Sequence, residues 1–164
     1  MRLVKMENLR EMLIRHEGWK NKAYVCSAGH KTIGVGWNLD ANTLPSDIAS
    51  YFRLYNEITD EMVNRLLDFS IEAATKQCEA LYTGFDTFSE QRQKALIDFV
   101  FNVGVGTATK FRKMRAAVNL QNWGRAADEL MDSRYYRQLG GDPAGTDDGR
   151  LERSEEIIRM LKEG

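Results

Sequence analysis

Residues 12–36 read MLIRHEGWKNKAYVCSAGHKTIGVG, and Trp37 closes the stretch on which the fold turns. Its start completes an apolar series, Met6, Leu9, Met12, Leu13 and the apolar part of His16, at helical spacing, so residues 5–16 read as an amphipathic helix. Two short β-prone runs then flank Ser27-Ala28-Gly29-His30, and in the second run Ile33 and Val35 alternate with Gly34 and Gly36. That pattern predicts a hairpin, with glycines where the backbone must bend or be approached closely. Glu17 falls at the helix end, ahead of Gly18 and Trp19. A carboxylate there meets the negative end of the helix dipole, and beside Trp19 it is partly desolvated. Both effects favour the protonated acid, the form that can donate a proton to a leaving oxygen.

Outward from this stretch the chain reads helical. Pro45 suits the first turn of a short helix near residues 45–54. Thr59 can cap a long helix whose stripe is Met62/Val63, Leu66/Leu67, Ala74, Cys78 and Leu81. Ser89 can cap a helix over 89–103 carrying Ala95, Leu96, Phe99 and Val100. Further helices are expected near 109–119, 122–132 and 147–162, with a short turn at 133–138 and a loop at Gly140–Gly145. The expected architecture is α+β and predominantly helical: a single domain over 1–164 with a small hairpin lobe at about 14–58, a long connecting helix at about 59–82, and an all-helical lobe at about 83–164 joined by the N-terminal helix.

With 164 residues, 43% of them hydrophobic and 29% charged, the chain can bury a core without a metal or disulfide staple. The formal net charge of −1 supplies no overall basic field, so no nucleic-acid partner is expected. The charge is slightly uneven, with 8 Lys+Arg against 6 Asp+Glu in residues 1–57 and 15 against 18 in 58–164. Two cysteines, Cys26 and Cys78, form no disulfide framework and suggest a reducing compartment. Charges interrupt the first residues, which excludes a signal-peptide core, and no later segment approaches a membrane span, so no stable insertion is expected.

Each candidate for chemistry has an ordinary counterpart. Glu17 reads as an acid or as a surface glutamate. Cys26 and Thr32 lie nine and fifteen residues after it, and on spacing alone they are a small buried hydrophobe and a strand residue. His16, Cys26 and His30 invite a zinc reading, yet they match no ligand spacing and lack a fourth ligand, so no metal is expected. Cys26 with His30 could form a nucleophilic dyad, without any surrounding signature. Gly104-Val105-Gly106 follows a helical stripe, not a strand, and so fails as a nucleotide loop. Asn102 can bond a ligand or cap a helix end. Tyr24 and Trp37 can stack on a sugar ring or pack in the core. Arg150 and Arg153 can pair with a buried acid or face solvent.

Taken together, residues 12–36 resemble the active-site region of the T-even-phage lysozyme family, endolysins with muramidase activity. That family carries a Glu, eight residues, an Asp, five residues and a Thr, with a Tyr before the hairpin and T-I-G-x-G on its second strand. Glu17, Cys26 and Thr32 keep the spacing, with Tyr24 and Thr32-Ile33-Gly34-Val35-Gly36 in register. Downstream, RQKALIDFVFNVG (92–104) resembles the central helix of the family's C-terminal lobe, Trp123 through Ser133-Arg134-Tyr135-Tyr136 its next helices, and Arg150-Leu151-x-Arg153 its basic motif. The resemblance implies a two-lobed lysozyme-like fold and endo-hydrolysis of the β-1,4 link between N-acetylmuramic acid and N-acetylglucosamine in peptidoglycan, with no cofactor. By position it makes Glu17 the general acid, lets Thr32 hold the attacking water, places Arg150 near Glu17, and makes Tyr24, Trp37 and Asn102 substrate-lining. Cys26 stands where many relatives have Asp, and Trp37 where relatives often have His. The family also implies a monomer that accumulates in the host bacterial cytoplasm, is released through a separate holin-like pore, and acts on the wall in the periplasm.

Overall fold

A computed structural model describes residues 6–133 and 150–164, with side chains described over 9–133 and 153–164. The elements are α1 (Met6–Glu17), β1 (Lys20–Val25), β2 (Lys31–Gly34), β3 (Trp37–Asn38), α2 (Ser46–Tyr55), α3 (Asp60–Leu81), a 3-10 turn (Phe85–Thr87), α4 (Glu90–Val103), α5 (Val105–Lys110), α6 (Arg112–Asn119), α7 (Trp123–Met131) and α8 (Arg150–Glu163). The fold is lysozyme-like, α+β and predominantly helical. The expected turn at 133–138 and the loop at 140–145 lie, apart from Ser133, outside the described residues. The chain divides into two compact units, Arg10–Glu72 and the remainder, Met1–Leu9 with Ala73–Gly164.

In the Arg10–Glu72 unit the sheet is antiparallel in the order β1-β2-β3. The sequence suggests a second β run continuing through Gly36, but β2 stops at Gly34 and Val35-Gly36 turns the chain into a third strand. Between the paired residues Ile33 and Trp37 the chain reverses over Gly34-Val35-Gly36, and both glycines adopt positive φ, +68° and +67°. Register slips between Lys20↔Gly34 and Tyr24↔Thr32, which marks a bulge in β1. Beside the bulge, Asn21 clamps β1 to the start of α3. Its carbonyl accepts the Ile58 N–H at 2.8 Å, and its amide donates to the Ile58 carbonyl and to Asp60 Oδ1, each at 2.9 Å. The Trp19 indole N–H joins this cluster through Asn21 Oδ1 at 3.2 Å and Asp60 Oδ1 at 3.3 Å. Thr59 Oγ1 accepts the Met62 N–H at 3.2 Å and caps α3 as its sequence predicts. Met12, Leu13, Ile33, Val35, Ile48, Ile58, Val63, Leu66, Leu67 and Ile71 are buried. Pro45 serves as the N-cap of α2 and not as its first helical residue.

In the other unit α4 is the buried axis: every residue from Gln93 to Val100 is buried. Ser89 accepts the Arg92 N–H and starts the helix. The helix expected near 109–119 is two pieces, α5 and α6, broken at Phe111, where ψ is 63°. The Arg92 guanidinium lies 4.5 Å over the Trp123 ring, and its donors reach the Leu161 carbonyl at 2.9 Å and the Lys162 carbonyl at 3.1 Å, capping α8 from outside. Six residues along α4, Asp98 accepts from Arg153 Nε at 2.9 Å, with Asp98 fully buried. The two ties make α4 and α8 antiparallel neighbours.

Because Asp98 and Arg153 are desolvated together, removing one partner strands the other's charge. Asp98→Ala is expected to cost about 3–5 kcal/mol. Urea denaturation measures this, and a loss below about 1 kcal/mol would mean that water reaches Arg153.

Candidate functional site

Four of the candidate residues, Glu17, Tyr24, Cys26 and Thr32, gather on the hairpin side of the Arg10–Glu72 unit. Glu17 is the last residue of α1. The helix is closed behind it by Gly18, which adopts φ +82° and donates its N–H to the Ile14 carbonyl at 2.8 Å. The Glu17 carboxyl then lies against the Val35-Gly36 turn. A Cβ placed on Gly36 would stand 3.0 Å from both Cδ and Oε2 of Glu17. Gly36 is therefore required twice, once for its backbone conformation and once for the space the carboxyl fills.

Cys26 follows β1 at the head of a tight turn. Its N–H donates to the His30 carbonyl and its own carbonyl accepts the Gly29 N–H, both at 2.9 Å. Tyr24 and Thr32 are directly opposed across the β1–β2 ladder, and Asn38 opposes Thr32 across β2–β3. Directly opposed residues share a sheet face, so Tyr24, Thr32 and Asn38 project to the same side. Ile33 opposes Trp37. Side chains alternate along β2, so Trp37 belongs with fully buried Ile33 on the face turned away from Thr32. The Trp37 indole N–H is buried there with no hydrogen-bond partner among the described residues. The structure thus does not bring Trp37 together with Tyr24 and Thr32, and sequence alternation across the missed turn at Val35-Gly36 is the signal that would have shown it.

The Thr32 hydroxyl, 4% exposed, donates to the His30 carbonyl at 3.0 Å. The same hydroxyl is among the groups that favour the Cys26 thiolate. Burial raises the Cys26 pKa and is the largest single influence. It is outweighed by donors that favour the thiolate, namely the His30 amide, the Thr32 hydroxyl and the amides of Ala28 and Cys26 itself, so the pKa falls below the ordinary thiol value. The Tyr24 phenol is pushed up by burial first, and then by the charges of Glu17 and Cys26. Tyr24 thus lies within electrostatic reach of both.

Cys26 meets His30 through backbone atoms, with the His30 residue exposed. Among the described residues no group of three or more His, Cys, Asp or Glu side chains could hold a metal ion. Cys78 is buried in α3, where burial drives its pKa far up. Asn102 lies half-buried in the last turn of α4, in the other unit, and the closing bond there is Gly104 N–H to the Val100 carbonyl at 2.8 Å, not an Asn102 cap. Gly104 joins α4 to α5, a helix–helix junction, which disposes of the nucleotide-loop pattern. Arg150 opens α8, but its side chain lies outside the described residues. Residues that the sequence did not single out are Asn21, Asn38 and Asp98; Asp98 alone left a trace, as an acid inside an apolar helical run.

A family model described as phage lysozyme matches residues 14–153. The chain is 28% identical to Probable T4-type lysozyme 2 of Dictyostelium discoideum over 148 residues, 81% of this chain and 87% of that protein. It is 25% identical to Probable T4-type lysozyme 1 of the same organism, with the same shares covered. It is also 28% identical to the Pre-baseplate central spike protein Gp5 of Enterobacteria phage T4 over 82% of this chain, but only 26% of that protein.

Two outcomes follow from the site geometry. Gly36→Ala is expected to cost about 1–3 kcal/mol, and the cost should shrink in a Glu17→Ala background, because the carboxyl no longer presses on the new methyl. Strictly additive denaturation energies would place the carboxyl elsewhere. Cys26 should alkylate with a midpoint below the ordinary thiol value, and Thr32→Val should move that midpoint up. Since the folded pKa is the lower one, the thiolate stabilises the fold above the unfolded thiol value, and this contribution disappears as pH falls through the lowered value. A Cys26 midpoint indifferent to Thr32→Val would mean that the hydroxyl does not support the thiolate.

Proposed function

This chain belongs to the phage lysozyme family, and from that premise we propose that it hydrolyses the β-1,4 bond between N-acetylmuramic acid and N-acetylglucosamine in bacterial peptidoglycan. The observation that carries the reading is the seating of the Glu17 carboxyl on the Gly36 turn, in the same compact unit whose sheet carries Tyr24 and Thr32 on one face beside Cys26. An acid held in one place by a rigid turn suits general acid catalysis, which requires a proton delivered to a fixed oxygen.

In this reading Glu17 protonates the glycosidic oxygen as the bond breaks toward an oxocarbenium-like transition state. Thr32 and Cys26 address the water that attacks the anomeric carbon. The Cys26 thiolate accepts the water's proton, the Thr32 hydroxyl orients the water, and the product anomer is inverted. Tyr24, Asn102 and Arg150 are proposed to line the substrate, with Arg150 helping to hold Glu17. Trp37, for which the resemblance implies a lining role, supports the sheet from its other face. The protein is proposed to act as a monomeric endolysin, accumulating in the host cytoplasm and reaching the wall through a holin-like pore.

A second reading is a wall-binding or virion assembly protein on the same fold whose catalysis is impaired. The similarity to a protein named for the phage baseplate spike, together with Cys26 at the position where relatives carry Asp, favours keeping it as the competitor.

Release of reducing ends and of free amino groups from purified Gram-negative sacculi separates the readings. Wild type should release reducing ends only, and Glu17→Gln should lower that release roughly 10²–10⁴-fold with the fold intact. Retained release in the variant would remove Glu17 as the acid. Wall retention without release by wild type would establish the second reading, and release of amino groups would point to an amidase or peptidase. With the thiolate as base, activity rises toward alkaline pH with a midpoint below the ordinary thiol value, and Cys26→Asp moves the rise to lower pH. An unchanged profile would make Cys26 a bystander.

A further inference from the structure

Between Asp98 and Asp128 the chain carries five basic residues, Lys110, Arg112, Lys113, Arg115 and Arg125, and no acidic one. Arg115 is committed to the fold, donating from Nε to the Leu81 carbonyl at 3.2 Å. Lys110, Arg112 and Lys113 are exposed and form no ion pair or hydrogen bond among the described residues. They fall within four positions, at the end of α5 and the start of α6, and the first turn of α6 holds no acid. Arg112 and Lys113, at the start of α6, oppose its dipole and work against local stability, whereas Lys110 complements the end of α5. The buried face of α6 is Met114, Ala117 and Val118. Its outward face runs Lys113, Ala116, Leu120, and Leu120 is 81% exposed. Lys113 and Leu120 are seven residues apart, on one side of the helix and about 10 Å from each other. Val105, at the far end of α5, is 40% exposed. Three uncompensated cations are thus flanked by two protruding aliphatic side chains, with only a methyl side chain between Lys113 and Leu120.

We infer that the outward face of α5 and α6 is a docking surface for an anionic phospholipid bilayer, held by Lys110, Arg112 and Lys113 against the headgroups and by Leu120 at the acyl boundary. Charge complementarity calls for an anionic partner. The exposed leucine favours a bilayer among anionic partners, because the acyl boundary buries a protruding aliphatic side chain more fully than a hydrated wall polymer does. No described helix is long and apolar enough to cross a membrane, so the contact is peripheral and reversible by salt. It is independent of the wall-hydrolysing chemistry, since none of these side chains belongs to that site.

The test is co-sedimentation of the whole protein with vesicles of phosphatidylcholine alone and of equal parts phosphatidylcholine and phosphatidylglycerol, across a salt series. Binding is expected only to the anionic vesicles and to weaken with salt. Each cation near such a surface contributes about fivefold, so the triple variant Lys110→Gln, Arg112→Gln, Lys113→Gln should lose roughly a hundredfold in partition. Leu120→Ser should weaken binding several-fold while leaving the salt dependence as it was. The triple variant should melt close to wild type, because relief at the start of α6 offsets the loss of Lys110 at the end of α5, and its release of reducing ends from lipid-free sacculi should equal that of wild type. Equal binding to both vesicle types, or undiminished binding by the triple variant, overturns the inference. Loss of retention on sacculi by the variant, with no vesicle binding by wild type, assigns the face to the wall polymer instead and equally overturns it. The Glu17→Gln experiment reports on the hydrolase reading separately, so either proposal can fail without the other.

Discussion

The contact between the Glu17 carboxyl and the backbone of Gly36 constrains the whole hairpin unit. A helix must end at Glu17, a strand must end at Gly34, and the turn between β2 and β3 must be narrow enough to receive a carboxyl where a side chain would otherwise stand. Each condition restricts the next. Gly18 closes α1 so that Glu17 is its last residue. The bulge and the Asn21 clamp fix β1 against the start of α3. The Val35-Gly36 turn then presents bare backbone to the acid. Val35 and Ile33, buried beneath, hold that turn in place. An acid seated on backbone has few alternative rotamers, and this pre-organisation is what proton donation to one particular oxygen requires.

Cys26 shows how a substitution of residue type is absorbed by its surroundings. A thiol is a weaker acid than a carboxyl, so at the same place it is less often charged. The turn that carries it compensates with backbone amides and the Thr32 hydroxyl, which together overcome the burial that opposes ionisation. The Thr32 hydroxyl, held on β2 by its bond to the His30 carbonyl, is one of the groups that influence the protonation state of Cys26.

The helical unit is organised by a different logic. Asp98 and Arg153 tie α4 to the first turn of the antiparallel α8, and Arg92 ties it to the last. Charge is spent inside this unit on register, whereas on α5 and α6 it is left exposed and uncompensated. The contrast matters because the overall balance of −1 conceals it. Net charge describes the field far from the molecule, while a contacting surface meets only the nearest few side chains, within a Debye length of about 10 Å.

The periodic elements are legible in the sequence because their causes are local. Apolar spacing announces α1, α3 and α4, the Thr59 and Ser89 hydroxyls announce where two of them start, and the Glu17–Cys26–Thr32 spacing, read as a resemblance, announces the family. The third strand is not legible, because Val35-Gly36 reads equally well as strand and as turn until Trp37 finds Ile33 as its partner. That turn sets the partner of Trp37, since the β2–β3 register places it opposite Ile33. Likewise Asp98 looks like an interruption of an apolar run until Arg153, fifty-five residues later, supplies its partner. The sequence by itself determined most of the helical segments, the starts of α3 and α4, and which family's chemistry the hairpin can carry, because capping, periodicity and residue spacing act over a few neighbours. Only the tertiary structure decided which side chains share a face, where the Glu17 carboxyl rests and which groups favour the Cys26 thiolate, because those depend on atoms brought together by the fold.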